Sequence, residues 1–362
     1  MDLPIIELAG SPRRMGESYG EECRAEAREL YAIRLRWARH FAATHGRQLA
    51  EDEVLHTARL CLEPTQAYDP VGYEELAGIA RGAGLSEEQC FVLQGLTDLR
   101  DVLAFGPQPG GLGCSSFVVA ADRSATGHLL AGQNWDLQTD NMPYVRLVHR
   151  RPDGAPETWA VTVTGCLTLV GLNDAGIGVG NTNLVTRDAR IGVQYLTVLH
   201  RALRARTLQE AVACVRAAPR AGAHYYYVAG AEDVAVGLEC SARRCAQFRI
   251  DSGCFVHCNH AQSEEIAALE VEPPARSTRH RQERLAALLR ELEAPIGVGD
   301  LQRFLSDHEG GPDRCLCRHD HEEVSTNATV ILSPATGQIL ACRSQPHVGQ
   351  WVSRRLDAGS SA

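Results

Sequence analysis

Between Arg13 and Ala43 apolar residues recur three and four positions apart among Glu, Arg and Ala, the period of an amphipathic helix. Glu51 to Leu62 and Tyr73 to Leu103 repeat that spacing, so residues 11–105 predict a helical opening segment. Gly106-Pro107-Gln108-Pro109-Gly110-Gly111-Leu112-Gly113 then interrupts it with a stretch that sustains neither helix nor strand. From Cys114 onward short β-rich runs follow one another: Ser115 to Ala121, His128 to Gln133, Tyr144 to His149, Thr158 to Thr164, Leu167 to Gly171 and Ile177 to Thr182. Turn signals such as Asp153-Gly154 and Asn173-Asp174-Ala175-Gly176 separate them, as in antiparallel strands. Helices at about Gly192 to Arg204 and Leu208 to Ala217 precede strands at Ala223 to Ala229, Val234 to Cys240, Ala246 to Ile250 and Cys254 to His257. Helical runs at Arg276 to Leu292 and Val298 to Ser306 follow, and the pair Ala328 to Leu332 and Gln338 to Arg343 is expected to close the chain. Strands and helices in blocks indicate a layered α+β fold rather than alternating βαβ units. No boundary other than the change at Gly113/Cys114 is visible.

The 362 residues are 44% hydrophobic and 22% charged, a composition that folds around its own core. Acidic residues outnumber basic ones 45 to 36, a formal net charge of −9, so nucleic acid and anionic membrane are not expected partners. There is no lysine, and every basic residue is arginine. That excludes Schiff-base chemistry, a P-loop or kinase lysine and a lysine general base. Met1 to Gly10 has no basic region followed by an apolar run, and no stretch approaches the roughly 20 apolar residues of a membrane span. A cytoplasmic location is the expectation. The thirteen cysteines, an odd number scattered along the chain, read as small buried hydrophobes plus one reactive thiol rather than a disulfide framework.

The candidate thiol is Cys114. It follows a glycine and opens a strand, in Gly113-Cys114-Ser115-Ser116-Phe117-Val118-Val119. Attack of Cys114 on the Gly113 carbonyl, shift to a thioester and hydrolysis would free Cys114 as a new amino terminus. Glycine suits the position because it admits close approach and a strained backbone. The freed α-amine, with an ordinary pKa of about 8, takes the thiol proton, so nucleophile and base share one residue.

Further segments extend this reading: Gly132-Gln133-Asn134-Trp135-Asp136, Gly171-Leu172-Asn173-Asp174-Ala175-Gly176-Ile177, Val256-His257-Cys258-Asn259-His260, and the outlying pair Gly10-Ser11-Pro12-Arg13-Arg14-Met15-Gly16 and Cys315-Leu316-Cys317-Arg318-His319. In order and spacing the chain resembles the isopenicillin-N acyltransferase-like family of the N-terminal nucleophile hydrolases. The resemblance implies a four-layer αββα sandwich made as a precursor and cut into residues 1–113, a helical segment, and 114–362, the catalytic segment, within one structural domain. It implies that Asp136 orients or stabilises the new ammonium and that the Asn259 side-chain amide donates to the oxyanion. It also implies that no metal or organic cofactor is required and that the first fragment stays as a partner of the second.

Trp135 and His260 flank those positions and are the candidate substrate-binding residues. Among Ser277-Thr278-Arg279-His280-Arg281-Gln282-Glu283-Arg284 an arginine could pair a substrate carboxylate, but a solvated helix face is the expectation. Cys315, Cys317, His319 and His321 offer four metal ligands, yet Cys-x-Cys and His-x-His do not have structural-zinc spacing, so no metal is expected there. Thr326 stands where some relatives place an arginine, which leaves the charge of the substrate open. The activity expected is hydrolysis of a small-molecule N-acyl amide through a Cys114 thioester. The alternatives are acyl transfer from an amide or acyl-coenzyme A to an amine, and a non-catalytic binding protein on the same fold.

Overall fold

The structure is a computed structural model and describes residues 1–44, 46–103, 113–271, 276–311, 314–319 and 323–356. The Gly/Pro loop before Gly113, together with Asp320 and His321, lies outside the described residues. The strands are β1 (Ile5–Gly10), β2 (Gly113–Val119), β3 (Leu130–Gln138), β4 (Val145–Pro152), β5 (Thr158–Val163), β6 (Val170–Asn173), β7 (Ile177–Leu184), β8 (Ala223–Gly230), β9 (Ala235–Cys240), β10 (Cys245–Ile250), β11 (Cys254–His257), β12 (Val324–Ser333), β13 (Gln338–Arg343) and β14 (Trp351–Arg355). The helices are α1 (Pro12–Glu22), α2 (Arg24–Thr44), α3 (Glu51–Tyr68), α4 (Pro70–Ala83), α5 (Glu87–Gln94), α6 (Leu96–Val102), α7 (Tyr195–Ala202), α8 (Leu208–Ala217), α9 (Glu264–Ala267), α10 (Arg276–Glu291) and α11 (Val298–Leu305).

One sheet has eight strands in the order β1-β4-β5-β6-β7-β8-β9-β10, and the other six in the order β11-β2-β3-β12-β13-β14. The sheets pack face to face through β2 and β3 against β7 and through β12 and β13 against β6. Apolar side chains of α7 and α8 cover the outer face of the larger sheet, with Val198, Leu199 and Val212 against Tyr226 and Leu238. Leu285, Leu289 and Leu301 of α10 and α11 cover the outer face of the smaller, against Phe117, Val119 and Ile331. This is the four-layer α+β sandwich that the motifs imply.

The expected elements form, with three additions: the one-turn helix α9 and two edge strands. The edge strand β1 precedes the helical opening segment and pairs parallel with β4, and the edge strand β14 follows the pair read as the end of the fold and pairs with β13. Both are short edges with partly exposed side chains, so neither carries the apolar run that marks a buried strand. The long helical stretch 73–103 is three helices, broken where Gly84 takes a left-handed φ of 65° and Gly95 ends α5.

The opening motif is a packing device. Ser11 caps α1 by accepting from the Arg14 N–H, and Pro12 occupies its first turn. Gly16 and Gly20 face Gly78 and Gly82 of α4 so closely that a Cβ at Gly16 would lie 2.1 Å from the Glu75 carbonyl oxygen. Asn173 is likewise structural: its Oδ1 accepts from the Ile177 N–H, and its Nδ2 donates to the Leu203 and Ala205 carbonyls, both at 2.8 Å.

Candidate active site

Strand β2 begins at Gly113 and pairs with β3 in the register Gly113 with Asp136, Cys114 with Trp135 and Ser115 with Asn134. Successive side chains of a strand point to opposite faces. Cys114 and Trp135 therefore share the inner face and join the apolar core between the sheets. Ser115, Asn134 and Asp136 turn outward toward α10 and α11. Each half of Gln133-Asn134-Trp135-Asp136 thus has its own task. Gln133 ties the sheets together by accepting from the Asn181 N–H at 3.0 Å. Asn134 fastens the outer layer by donating to the Leu305 and Leu316 carbonyls, both at 2.9 Å.

Residues distant in sequence converge on the start of β2. The Cys114 N–H donates to Asn259 Oδ1 at 2.8 Å. Arg281 reaches down from α10: its Nη1 donates to the Cys114 carbonyl at 2.6 Å and to Ser115 Oγ at 3.0 Å, and its Nη2 donates to Asn259 Oδ1 at 3.0 Å. Asn259 Nδ2 donates to the Asn183 carbonyl at 3.0 Å. Two N–H donors on its oxygen fix the orientation of this amide. Asn259 thus faces Cys114 with its oxygen, and its NH2 group is engaged with β7.

Asp136 is buried, with one oxygen satisfied and one not. Oδ1 accepts from the Thr326 hydroxyl at 2.7 Å, whereas Oδ2 has no hydrogen-bond partner among the described residues. Burial raises the Asp136 carboxyl above its ordinary value, against the opposing charges of Arg281 and Arg318 and the Thr326 bond. The Cys114 thiol is pushed up to about 12, first by burial and then by the Asp136 charge, with the Asp136 backbone N–H and Arg281 acting the other way. Thr326 therefore has a definite contact at the position where some relatives place an arginine.

Gly113 lies in extended strand rather than in a left-handed conformation, so the strained backbone expected there is not the reason for glycine. The reason is space. A Cβ at 113 would lie 3.0 Å from Asp136 Oδ2, 3.1 Å from Arg318 Nη1 and 3.2 Å from Arg281 Nη2.

Arg281 corrects the expectation of a solvated helix face. It shares the buried stripe of α10 with Leu285 and Leu289, at four-residue spacing. Burying those leucines contributes roughly 1.5–3 kcal/mol each and fixes the helix face that carries the guanidinium. That spacing is legible in the sequence. Asn183 and Thr278, which carry no motif, complete the network, with Thr278 Oγ1 accepting from the Asn259 N–H at 2.7 Å.

Trp135 is the cross-strand neighbour of Cys114. His260 is one step removed. Its Nδ1 lies 3.0 Å from Thr278 Oγ1, and burial, followed by the charges of His257, Arg279 and Arg281, lowers its pKa to about 4. A neutral ring accepting from the Thr278 hydroxyl fits both facts. His257 belongs to the scaffold, stacked on Tyr225 at 3.9 Å and 2.9 Å from Glu239. All thirteen cysteines are free thiols, and Cys254 is the exposed one.

A two-sheet sandwich with helices on both outer faces, and a cysteine opening a strand where a glycine precedes it, belongs to the N-terminal nucleophile hydrolase class of enzymes, which act on carbon–nitrogen bonds. Residues 123–347 match the family model described as acyl-coenzyme A:6-aminopenicillanic acid acyl-transferase, and the chain belongs to that family. It is 25% identical over 331 residues to the 40 kDa form of acyl-coenzyme A:6-aminopenicillanic-acid-acyltransferase from Emericella nidulans, spanning 90% of this chain and 87% of that one. Among solved structures it is similar to a penicillin V acylase from Agrobacterium tumefaciens, at 13% identity and a TM-score of 0.46 over 69% of this chain and 89% of that one. A mutant conjugated bile acid hydrolase from Clostridium perfringens gives 10% identity and a TM-score of 0.44 over 67% of this chain and 92% of that one. No described helix is long and apolar enough to cross a membrane.

Proposed function

We propose that the chain cuts itself between Gly113 and Cys114 and that the resulting 114–362 fragment, held to residues 1–113, is a cysteine amidohydrolase for a small N-acyl amide. The observation that carries this reading is Asp136 Oδ2, without a hydrogen-bond partner among the described residues, beside Gly113 at the head of a strand whose first thiol is Cys114. A buried carboxylate oxygen with no donor is costly unless it has a task.

In the first step Sγ attacks the Gly113 carbonyl carbon and the thiol proton passes to the Cys114 nitrogen, with Asp136 stabilising the positive charge that develops there. The carbon–nitrogen bond then breaks, the nitrogen leaves as the Cys114 α-amine with a proton, and Gly113 is held as a thioester. Water hydrolyses that ester, giving the Gly113 carboxylate and a free thiol. In turnover the α-amine relays the thiol proton to the departing amine, the substrate acyl group forms a thioester on Cys114, and water then hydrolyses that thioester to release the acid and restore the thiol. Asp136 holds the α-ammonium. Arg281, which bonds the Cys114 carbonyl and Asn259, keeps the nucleophile in register. Asn259 is the candidate oxyanion donor, a task that requires its NH2 to leave the Asn183 carbonyl once the Cys114 N–H is no longer a peptide. Trp135 and His260 are assigned to the substrate side of the site.

A second reading, acyl transfer to an amine, is favoured by the name of the Emericella relative. One experiment tests both. The protein is incubated with an acyl donor, quenched in acid and weighed. An acyl adduct on the 114–362 fragment, absent in Cys114→Ala, supports the thioester. An added amine, 6-aminopenicillanic acid, that diverts the acyl group from water marks a transferase. Absence of any adduct or product across amide and acyl-coenzyme A donors contradicts both.

A further inference from the structure

From sequence, the segment between α11 and β12 is expected to hold no metal, because Cys315, Cys317, His319 and His321 do not have zinc spacing. The fold supplies what the spacing lacks. His308, from the end of the α11 connection, and His347, from the turn between β13 and β14, meet Cys317 and His319. The four ligand atoms all lie within 4.8 Å of one another. Cys317 Sγ is 3.5 Å from His347 Nδ1 and 3.7 Å from His319 Nε2, and His308 Nε2 is 2.6 Å from His319 Nε2. The three imidazole centroids form a triangle with sides of 4.7, 4.7 and 4.9 Å.

Metal bonds of about 2.0 Å to nitrogen and 2.3 Å to sulfur place tetrahedral ligand atoms roughly 3.3–3.7 Å apart. The separations of the sulfur from His347 and His319 already have that value, and the His308–His319 pair needs to open by roughly 0.7 Å to reach it. Cys317 is buried while the three histidines are exposed, so the thiol forms the floor of the site and the rings its open rim. The His347 backbone N–H points at Cys317 Sγ, a donor suited to a metal-bound sulfur. The loop is anchored independently, by Arg284 forked on Asp307 at 3.1 and 2.7 Å and by the Cys317 N–H on the Asp307 carbonyl at 3.0 Å.

We propose that His308, Cys317, His319 and His347 bind one zinc-type divalent ion, a closed site of one thiolate and three imidazoles. Binding forms one metal–sulfur and three metal–nitrogen bonds and releases the Cys317 thiol proton to solvent. The ion clips His308 and residues 317–319 to the β13–β14 turn. Arg318 lies between two of the ligands, its N–H donating to Thr326 Oγ1 at 2.9 Å, and Thr326 in turn donates to Asp136. Through that chain the ion steadies the residues around Gly113, a consequence that rests on the proposed function.

The test is metal content, which does not depend on activity. The full chain, purified without chelator and dialysed, is expected to carry one zinc. Cys317→Ser and His347→Ala are each expected to lower zinc affinity by more than the roughly 10–100-fold that loss of an outer partner costs. His347 is exposed and the circular dichroism of its variant is expected to stay native, so unfolding does not explain the loss. Cobalt(II) added to chelator-stripped wild type is expected to show a thiolate-to-cobalt charge-transfer band that Cys317→Ser lacks. Wild type that binds neither ion tightly, or variants that keep the metal, would overturn the site. If the metal binds and stripping it leaves self-cleavage unchanged, the link to Asp136 is overturned and the site stands. If the metal binds and no cleavage occurs in any form, the proposed function fails alone.

Discussion

Two buried carboxylates sit among positive charges in this molecule and are answered differently. Glu75 of α4 has both oxygens engaged: Oε1 accepts from Arg150 Nε at 2.7 Å, and Oε2 lies 3.2 Å from His200 Nε2. Burial alone would push its pKa up, but Arg150 and His200 outweigh it and hold the carboxyl well below the usual range. Asp136 has two arginines nearby and one direct bond, from a neutral hydroxyl, and burial wins. Nearby charge does not replace a hydrogen bond aimed at the oxygen. The satisfied network holds α4 on the larger sheet. The unsatisfied one stands beside Gly113, where the proposed function needs the charge of a new α-ammonium to be held.

The contrast breaks most visibly at Glu75. Glu75→Ala strands Arg150 in the interior and is expected to lower stability by about 3–5 kcal/mol, measured by denaturant melts, while the folded fraction cuts itself as wild type does. A loss too small to measure would mean that this network is not structural. Asp136→Asn should show the reverse. Self-cleavage followed by mass is expected to slow at least about 100-fold, roughly 2.7 kcal/mol of barrier, with the melting temperature unchanged or raised. Gly113→Ala sharpens the comparison by leaving both carboxylates in place. The methyl group presses on Asp136, Arg281 and Arg318, and we expect cleavage about tenfold slower with stability within about 1 kcal/mol of wild type. Cleavage at the wild-type rate would remove the steric account of Gly113.

The smallest effect is in the pH dependence of stability, and the two sites differ in sign. The contribution of Glu75, whose folded pKa is depressed, is present above its ordinary 4.5 and lost as pH falls below it. The contribution of Asp136, whose folded pKa is raised, is full below its ordinary 3.8 and lost as pH rises through the raised value. Glu75→Gln is therefore expected to flatten the acid limb of a stability profile. Asp136→Asn is expected to gain on wild type near neutrality and to lose that gain on acidification. Parallel profiles for the two variants would contradict the assignment.

Much of this arrangement is written in the chain. The periodicities locate most elements, and the order of motifs implies the two sheets and brings Gly113, Cys114, Asp136 and Asn259 to one place. What cannot be read there are matters of register and distance. The side of β3 that Asp136 faces depends on pairing with β2 and β12, and the orientation of the Asn259 amide depends on Arg281, 22 residues away. Arg281 is easily misjudged because a run of charged residues resembles a solvated face, although its spacing to Leu285 and Leu289 marks the buried one. The cluster of Cys317 with three histidines is invisible in sequence because His308 and His347 join it only through the fold.

The central claim is that Cys114 becomes an amino terminus. The direct measurement is the intact mass of purified wild type beside Cys114→Ala under reducing, denaturing conditions. Two fragments in the wild type, divided between Gly113 and Cys114, with a single uncut chain in the variant, are the predicted result. A single chain in both would contradict it and leave the fold to a binding protein.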